Sequence, residues 1–168
     1  MNDIQSSSEH MREVVETSSE KITNFENTMI ELNESSNNIV DYSYKMENST
    51  FVVLAKIDHV VYKSNAYTTI ITATEHLEVS DHHSCRLGKW YETEGQRRFG
   101  ESASFKRIPA VHKIVHDNAN ANVAYISDGV EDSHVPHGDA LIARFNEMED
   151  ASRELFTLLD NTLIEAES

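Results

Sequence analysis

Three histidines and the only cysteine of this 168-residue chain have the types and spacing of a metal site. His112 and His116 lie four residues apart, so a helix would present both imidazoles on one face. Cys85 can supply a thiolate, which favours Zn²⁺ over hard cations, and His59 can supply a third imidazole. Such a set fills a tetrahedral shell and leaves no position for a catalytic water. We therefore predict a Zn²⁺ site formed by His59, Cys85, His112 and His116.

Other histidines compete for this role. His82 and His83 precede Cys85 so closely that either one can act as a ligand, and the sequence leaves open whether one contributes. We rank both below the helical pair and His59. The remaining histidines are interpreted as surface or loop residues: His10, His76, His134 and His137.

Composition narrows the class of protein. The net charge is −15, and the 14 lysines and arginines form no dense basic run, so nucleic acid and anionic membranes are poor partners. The sequence has no apolar stretch long enough to span a membrane, and no basic and apolar signal segment at its start. We expect a cytoplasmic protein without membrane insertion. It has no glycine-rich phosphate loop, nucleophile elbow or paired-carboxylate motif, so no enzymatic activity is predicted.

A very long helix is predicted first, because all five glycines and both prolines lie after residue 87. Apolar residues recur there with the heptad spacing of a coiled coil, and small polar residues such as Ser18 and Ser36 weaken the seam. One heptad position holds Met11, Ser18, Phe25, Leu32, Ile39, Met46, Val53 and Val60. The other holds Val15, Ile22, Met29, Ser36, Ser43, Thr50 and Ile57.

The rest of the chain also favours helices. Glycines divide residues 85–100 into short pieces, and a second long helix is expected from near Ser104 to Val130. Pro109 shifts its expected start towards Arg107 or Ile108. Apolar spacing marks a final helix over 141–159. We predict an all-α protein: an antiparallel, four-helix-type bundle over residues 51–165, with a coiled-coil helix over residues 1–50.

Three sequence blocks resemble the chemoreceptor zinc-binding domain, a bacterial sensory module attached to chemoreceptors and diguanylate cyclases. The first is residues 56–67, with Asp58-His59. The second is His82-His83-Ser84-Cys85-Arg86-Leu87-Gly88-Lys89-Trp90-Tyr91, the most specific block. The third is His112-Lys113-Ile114-Val115-His116, and residues 151–160 look like the closing helix of the family.

The resemblance implies a zinc site on the same four residues, and sensing of either zinc or oxidants such as hypochlorous acid. Residues 1–50 resemble the descending signalling helix of a soluble methyl-accepting chemotaxis protein, although its kinase-contacting hairpin tip is absent. We therefore expect a C-terminal fragment or a small stand-alone module. The implied partners are a second copy of the chain, the rest of a chemoreceptor and, through it, the chemotaxis histidine kinase and its coupling protein.

Three alternatives remain at this stage. The zinc site could be a purely structural staple on a coiled-coil adaptor, or the chain could regulate a diguanylate cyclase. A di-iron, hemerythrin-like oxygen binder is also a helical bundle with histidines, but it would need bridging carboxylates and would not use cysteine.

Overall fold

The structure, a computed structural model, describes residues 2–72, 80–127 and 137–166, and all regular structure in these ranges is helical. Helix α1 covers Asn2–Thr72. A short helical run follows, composed of α2 (Arg86–Trp90), one π-helical turn (Tyr91–Gly95) and α3 (Gln96–Phe99). Helices α4 (Ala103–Ser127) and α5 (His137–Glu165) complete the chain. The predictions of an all-α bundle and a long N-terminal helix are confirmed.

The chain divides into two compact units, Met1–Glu47 and Asn48–Ser168. In the first unit, the helix exposes the apolar side chains of its heptad positions by 48–69%. These are Met11, Val15, Ile22, Phe25, Met29, Leu32, Ile39 and Met46. The face they form is called the heptad face below.

The second unit is a bundle in which α1 and α5 run antiparallel. Lys56 Nζ lies 2.5 Å from Asp160 Oδ1, and Lys63 Nζ lies 2.7 Å from Glu149 Oε2, so residue numbers rise along α1 as they fall along α5. The core contains side chains from every helix of the unit. Among the most buried are Val52, Ala55, Leu87, Phe99, Phe105, Ile108, Val115, Met148, Leu155 and Leu159.

Aromatic residues near the short helical run pack in this core. The rings of Trp90 and Phe51 stack with centroids 4.5 Å apart, and those of Tyr91 and Phe105 stack at 4.3 Å. Phe99 is only 4% exposed. The aromatic side chains of the short helical run therefore attach it to both α1 and α4.

Helix α4 starts earlier than Pro109 indicated, because its first turn is capped from two sides. Ser102 Oγ accepts a hydrogen bond from the Phe105 N–H at 3.0 Å. The Glu165 carboxylate accepts one from the Ser104 N–H at 3.1 Å and another from Ser104 Oγ at 2.5 Å. These contacts stabilise a start at Ala103, and Pro109 lies inside the helix at the cost of one backbone hydrogen bond.

Some sequence predictions fall outside the described residues: the extension of α4 to Val130 and the surface positions of His76 and His134. Within the described ranges, none of the helices combines the length and apolar character needed to cross a membrane.

Candidate metal centre

The four predicted ligand side chains converge from three parts of the bundle. His59 lies on α1, Cys85 directly precedes α2, and His112 and His116 lie one turn apart on α4. One ligand atom from each can be chosen so that all four lie within 4.8 Å of one another. Residues separated by more than 50 positions are therefore brought to one point.

His59 is held in an orientation that leaves one nitrogen for a ligand. Its Nδ1 lies 2.7 Å from the Ala55 carbonyl oxygen. Because a carbonyl only accepts, Nδ1 carries the proton and Nε2 carries the lone pair. This Nε2 is buried and has no hydrogen-bond partner in the part of the chain that the structure describes.

His116 repeats the same arrangement. Its Nδ1 donates to the Ser80 carbonyl oxygen at 2.9 Å, and its buried Nε2 again has no partner among the described residues. Buried polar atoms are almost always hydrogen-bonded, so two such nitrogens in one cluster require an explanation. A metal ion that accepts both lone pairs supplies it.

Cys85 is the N-cap of α2. Its Sγ accepts the Gly88 N–H at 3.3 Å, and it lies 3.3 Å from Nε2 of His112. Position 88 must be a glycine because the backbone of His82 lies against it, and a Cβ atom at position 88 would lie 2.0 Å from the His82 carbonyl oxygen. Burial raises the pKa of the Cys85 thiol, and the backbone N–H groups of Gly88 and Leu87 act in the opposite direction.

The three histidines of the cluster are neutral at physiological pH. Burial lowers the pKa of His112 to about 2 and that of His116 to about 4, and it also lowers the pKa of His59. The neighbouring imidazoles act in the same direction on His112 and His116. Only a neutral imidazole offers a lone pair to a metal, so the site is prepared for binding. Three nitrogens and one sulphur form a donor set that fits Zn²⁺.

The Ser80 carbonyl oxygen connects the segment before α2 to two helices. Besides His116, it accepts hydrogen bonds from the Tyr62 hydroxyl at 3.2 Å and from Asn120 Nδ2 at 3.0 Å. The Tyr62 hydroxyl also hydrogen-bonds Asn120 Oδ1. Sequence reasoning missed these residues. Tyr62 lies three residues after His59 and Asn120 four after His116, so helical spacing could have identified the two side chains.

The competing histidines lie outside the four-residue cluster. His83 Nδ1 is 2.5 Å from Glu92 Oε1, near the surface. The half-buried His82 ring lies 4.0 Å from the His83 ring and 5.8 Å from the His112 ring, centroid to centroid.

A cavity of about 180 Å³ leads to the cluster. It reaches Cys85, His59 and His116, and it also touches Arg86 and Asp58. The partly exposed side chains of these last two form an ion pair, with Arg86 Nε 3.1 Å from Asp58 Oδ2. A small solute can therefore approach the thiol from outside.

Comparison with known families agrees with this chemistry. Residues 59–123 match the family model described as the chemoreceptor zinc-binding domain. The match begins at His59 and includes the other three residues of the cluster. No curated protein and no solved structure matches the chain significantly.

Proposed function

We propose that the protein is a zinc-dependent sensory module, because residues 59–123 match the model of the chemoreceptor zinc-binding domain. Its Zn²⁺ would be held by His59, Cys85, His112 and His116. One observation supports this most directly: two buried imidazole nitrogens without hydrogen-bond partners in the described chain belong to the same cluster as a cysteine and a third histidine.

The donor set favours a regulatory or structural role over catalysis. Four protein ligands complete the tetrahedral shell that Zn²⁺ prefers, which leaves no position for a substrate or an activated water. We therefore propose that a change in zinc binding at this site alters the conformation of the protein, and that the site converts no substrate.

Cys85 would be the point at which an oxidant acts. Bound Zn²⁺ keeps a cysteine ligand in its thiolate form. The Cys85 sulphur would give two electrons to hypochlorous acid and take up its hydroxyl, forming a sulfenic acid and releasing chloride. A sulfenic acid lacks the negative charge of the thiolate and is a weaker ligand. The cavity beside Cys85 supports this route because it admits a molecule of that size. The other candidate input is the zinc concentration itself.

The response would pass through the segment that precedes α2. This segment contacts α1 through the Ser80–Tyr62 hydrogen bond, and the first residue of α2 adds the Arg86–Asp58 ion pair. It contacts α4 through Ser80 and His116. If Cys85 leaves the cluster, the segment loses one of its attachments, and α1 is the helix that would carry the change.

We further propose a cytoplasmic homodimer that is part of a chemoreceptor. The exposed heptad face supports dimerisation, since a coiled-coil partner would bury it. Through the rest of the receptor, the module would act on the chemotaxis histidine kinase and its coupling protein. Regulation of a diguanylate cyclase is the alternative context, and a structural zinc staple is the alternative role.

The deciding experiment is metal analysis of the purified protein before and after stoichiometric hypochlorous acid. A sensor of oxidants would contain about one Zn²⁺ per chain, lose it to a chelator after oxidation and regain the original state after reduction. Zinc that the chelator cannot remove from the oxidised protein would favour the structural staple. Absence of zinc would refute both roles.

A further inference from the structure

His82 lies beside the cluster without belonging to it. It is half-buried, its ring centroid is 5.8 Å from that of His112, and the two rings are perpendicular, at 90°. Its own carbonyl oxygen lies 3.8 Å from Cys85 Sγ. The imidazole of His82 is thus next to the position that the thiolate occupies.

The ring of His82 is also without a hydrogen-bond partner among the described residues. In the part of the chain that the structure describes, its ring nitrogens make no hydrogen bond, whereas the adjacent His83 is held by Glu92 at 2.5 Å. A ring without a fixed partner can turn about its side-chain bonds at little cost. Of the two neighbouring histidines, only His82 is close to the cluster and has no hydrogen bond to its ring among the described residues.

The backbone of His82 is held by contacts besides the one that it makes with Cys85 Sγ. Gly88 lies so close to the His82 carbonyl that no side chain fits between them. Asp81 Oδ1 accepts the N–H groups of His83 at 2.9 Å and Ser84 at 2.7 Å, which closes the turn. Loss of the Cys85 sulphur would therefore leave the His82 backbone in place.

We propose that His82 is a replacement ligand, which takes the fourth position on the metal when the Cys85 thiolate is lost. This inference rests on the proposed zinc site. Zn²⁺ accepts imidazole nitrogen as well as thiolate sulphur in a tetrahedral shell. Oxidation would then replace the thiolate with a neutral ligand, so that zinc would be held more weakly and could be taken by a chelator, yet would stay on the protein when no chelator competes for it.

A double-mutant cycle on the full chain tests this proposal. The zinc dissociation constant is measured by chelator competition for His82→Ala, Cys85→Ala and the double variant, with His83→Ala as the matched control in both backgrounds. In the presence of Cys85, we expect His82→Ala to change the affinity by less than about twofold. In the Cys85→Ala background, it should weaken binding at least about tenfold, the scale typical of lost support at a metal site, and His83→Ala should not.

A second measurement reads the ligand directly. The ring nitrogens of His82 in ¹⁵N-labelled Cys85→Ala protein should shift on zinc addition, as expected for a metal-bound imidazole. Cys85→Ser repeats both measurements if the alanine variant does not fold, because a hydroxyl can still cap α2. Equal effects of His82→Ala in both backgrounds would overturn the replacement role while leaving the zinc site intact. If the wild-type protein binds no zinc, the proposed function fails as well.

Discussion

Nε2 of His112 lies 3.3 Å from Sγ of Cys85, although 26 residues separate them in the sequence. This contact connects the N-cap of α2 with the interior of α4. Only the thiol of this pair is readily oxidised, so the contact joins a chemically reactive group to an inert one.

Removal of either helical histidine should strongly lower the zinc content. We expect about one Zn²⁺ per purified chain, and less than about half of that for His112→Ala or His116→Ala, because three remaining ligands leave an open and weaker site. Elemental analysis measures this. His83→Ala is the control, since that residue binds Glu92 at the surface. Unchanged zinc in both helical variants would contradict the assignment of ligands.

Oxidation of Cys85 should weaken zinc binding. Titration with hypochlorous acid in the presence of a colorimetric chelator should release zinc in step with Cys85 oxidation, followed by mass spectrometry. Cys85→Ser should bind zinc more weakly and lose the oxidant response. It should keep its helical circular dichroism, because core residues such as Phe105 and Leu155, not the metal, supply most of the burial. Zinc that the chelator cannot remove while Cys85 is fully oxidised would oppose the switch.

The candidate ligands could be predicted from sequence because helical spacing and ligand chemistry both constrain them. His112 and His116 share a helix face by periodicity alone, and Cys85 was the only thiol available. The role of Ser80 could not be predicted, because its contribution is a backbone carbonyl and any residue carries one. Such a contact depends on how the chain after α1 packs against α4, and the local sequence pattern does not encode this packing.

The start of α4 shows the same limit. Pro109 is a strong local signal, yet the helix begins six residues earlier at Ala103. Glu165, which lies more than 60 residues away in sequence, accepts the hydrogen bonds that stabilise that start. Tertiary contacts of this kind override local propensity and become visible only in the folded chain.

The Ser80 carbonyl should influence zinc affinity through its hydrogen-bond donors. Tyr62→Phe removes the hydroxyl that donates to Ser80 and leaves the ring, whose centroid is 4.6 Å from that of His116. We expect zinc affinity to fall by about tenfold or more, as for other groups that orient metal ligands. Tyr67→Phe is the matched control, because its hydroxyl donates to Glu149 at 3.2 Å instead. Equal zinc affinities for Tyr62→Phe and the wild type would show that Ser80 is oriented without Tyr62.

Glu165 should make the stability of the bundle depend on pH. Hydrogen bonds from Ser102 and Ser104 lower the pKa of its carboxyl from 4.5 to about 2. A lowered folded-state pKa means that the stabilisation is fully present above the ordinary value and disappears as the pH falls from about 4.5 through about 2. Urea unfolding of zinc-free Glu165→Gln should therefore show a lower midpoint than the wild type at pH 7.

The difference between these two proteins should shrink as the pH approaches 2. Both carry the same histidines, so protonation of the metal ligands affects them equally. Glu101→Gln is the control, because Glu101 is exposed and pairs with Lys106 at 3.3 Å. A constant difference between Glu165→Gln and the wild type over the whole pH range would mean that the Glu165 charge contributes nothing to the cap of α4.

The heptad face should hold two copies of the chain together. Phe25 and Leu32 are 65% and 61% exposed in the single chain, one heptad apart on the same helix face. A parallel or antiparallel partner helix would bury them, and the simplest partner is a second copy. Light scattering at micromolar concentration should report twice the chain mass of 19.1 kDa.

Phe25→Glu with Leu32→Glu should give a monomer, because four glutamates would then face one another across a dimer seam. Asn24→Glu with Asn27→Glu adds the same charge at exposed positions on the side away from the heptad face and should leave the dimer intact. A wild-type mass of one chain would contradict dimerisation through the heptad face.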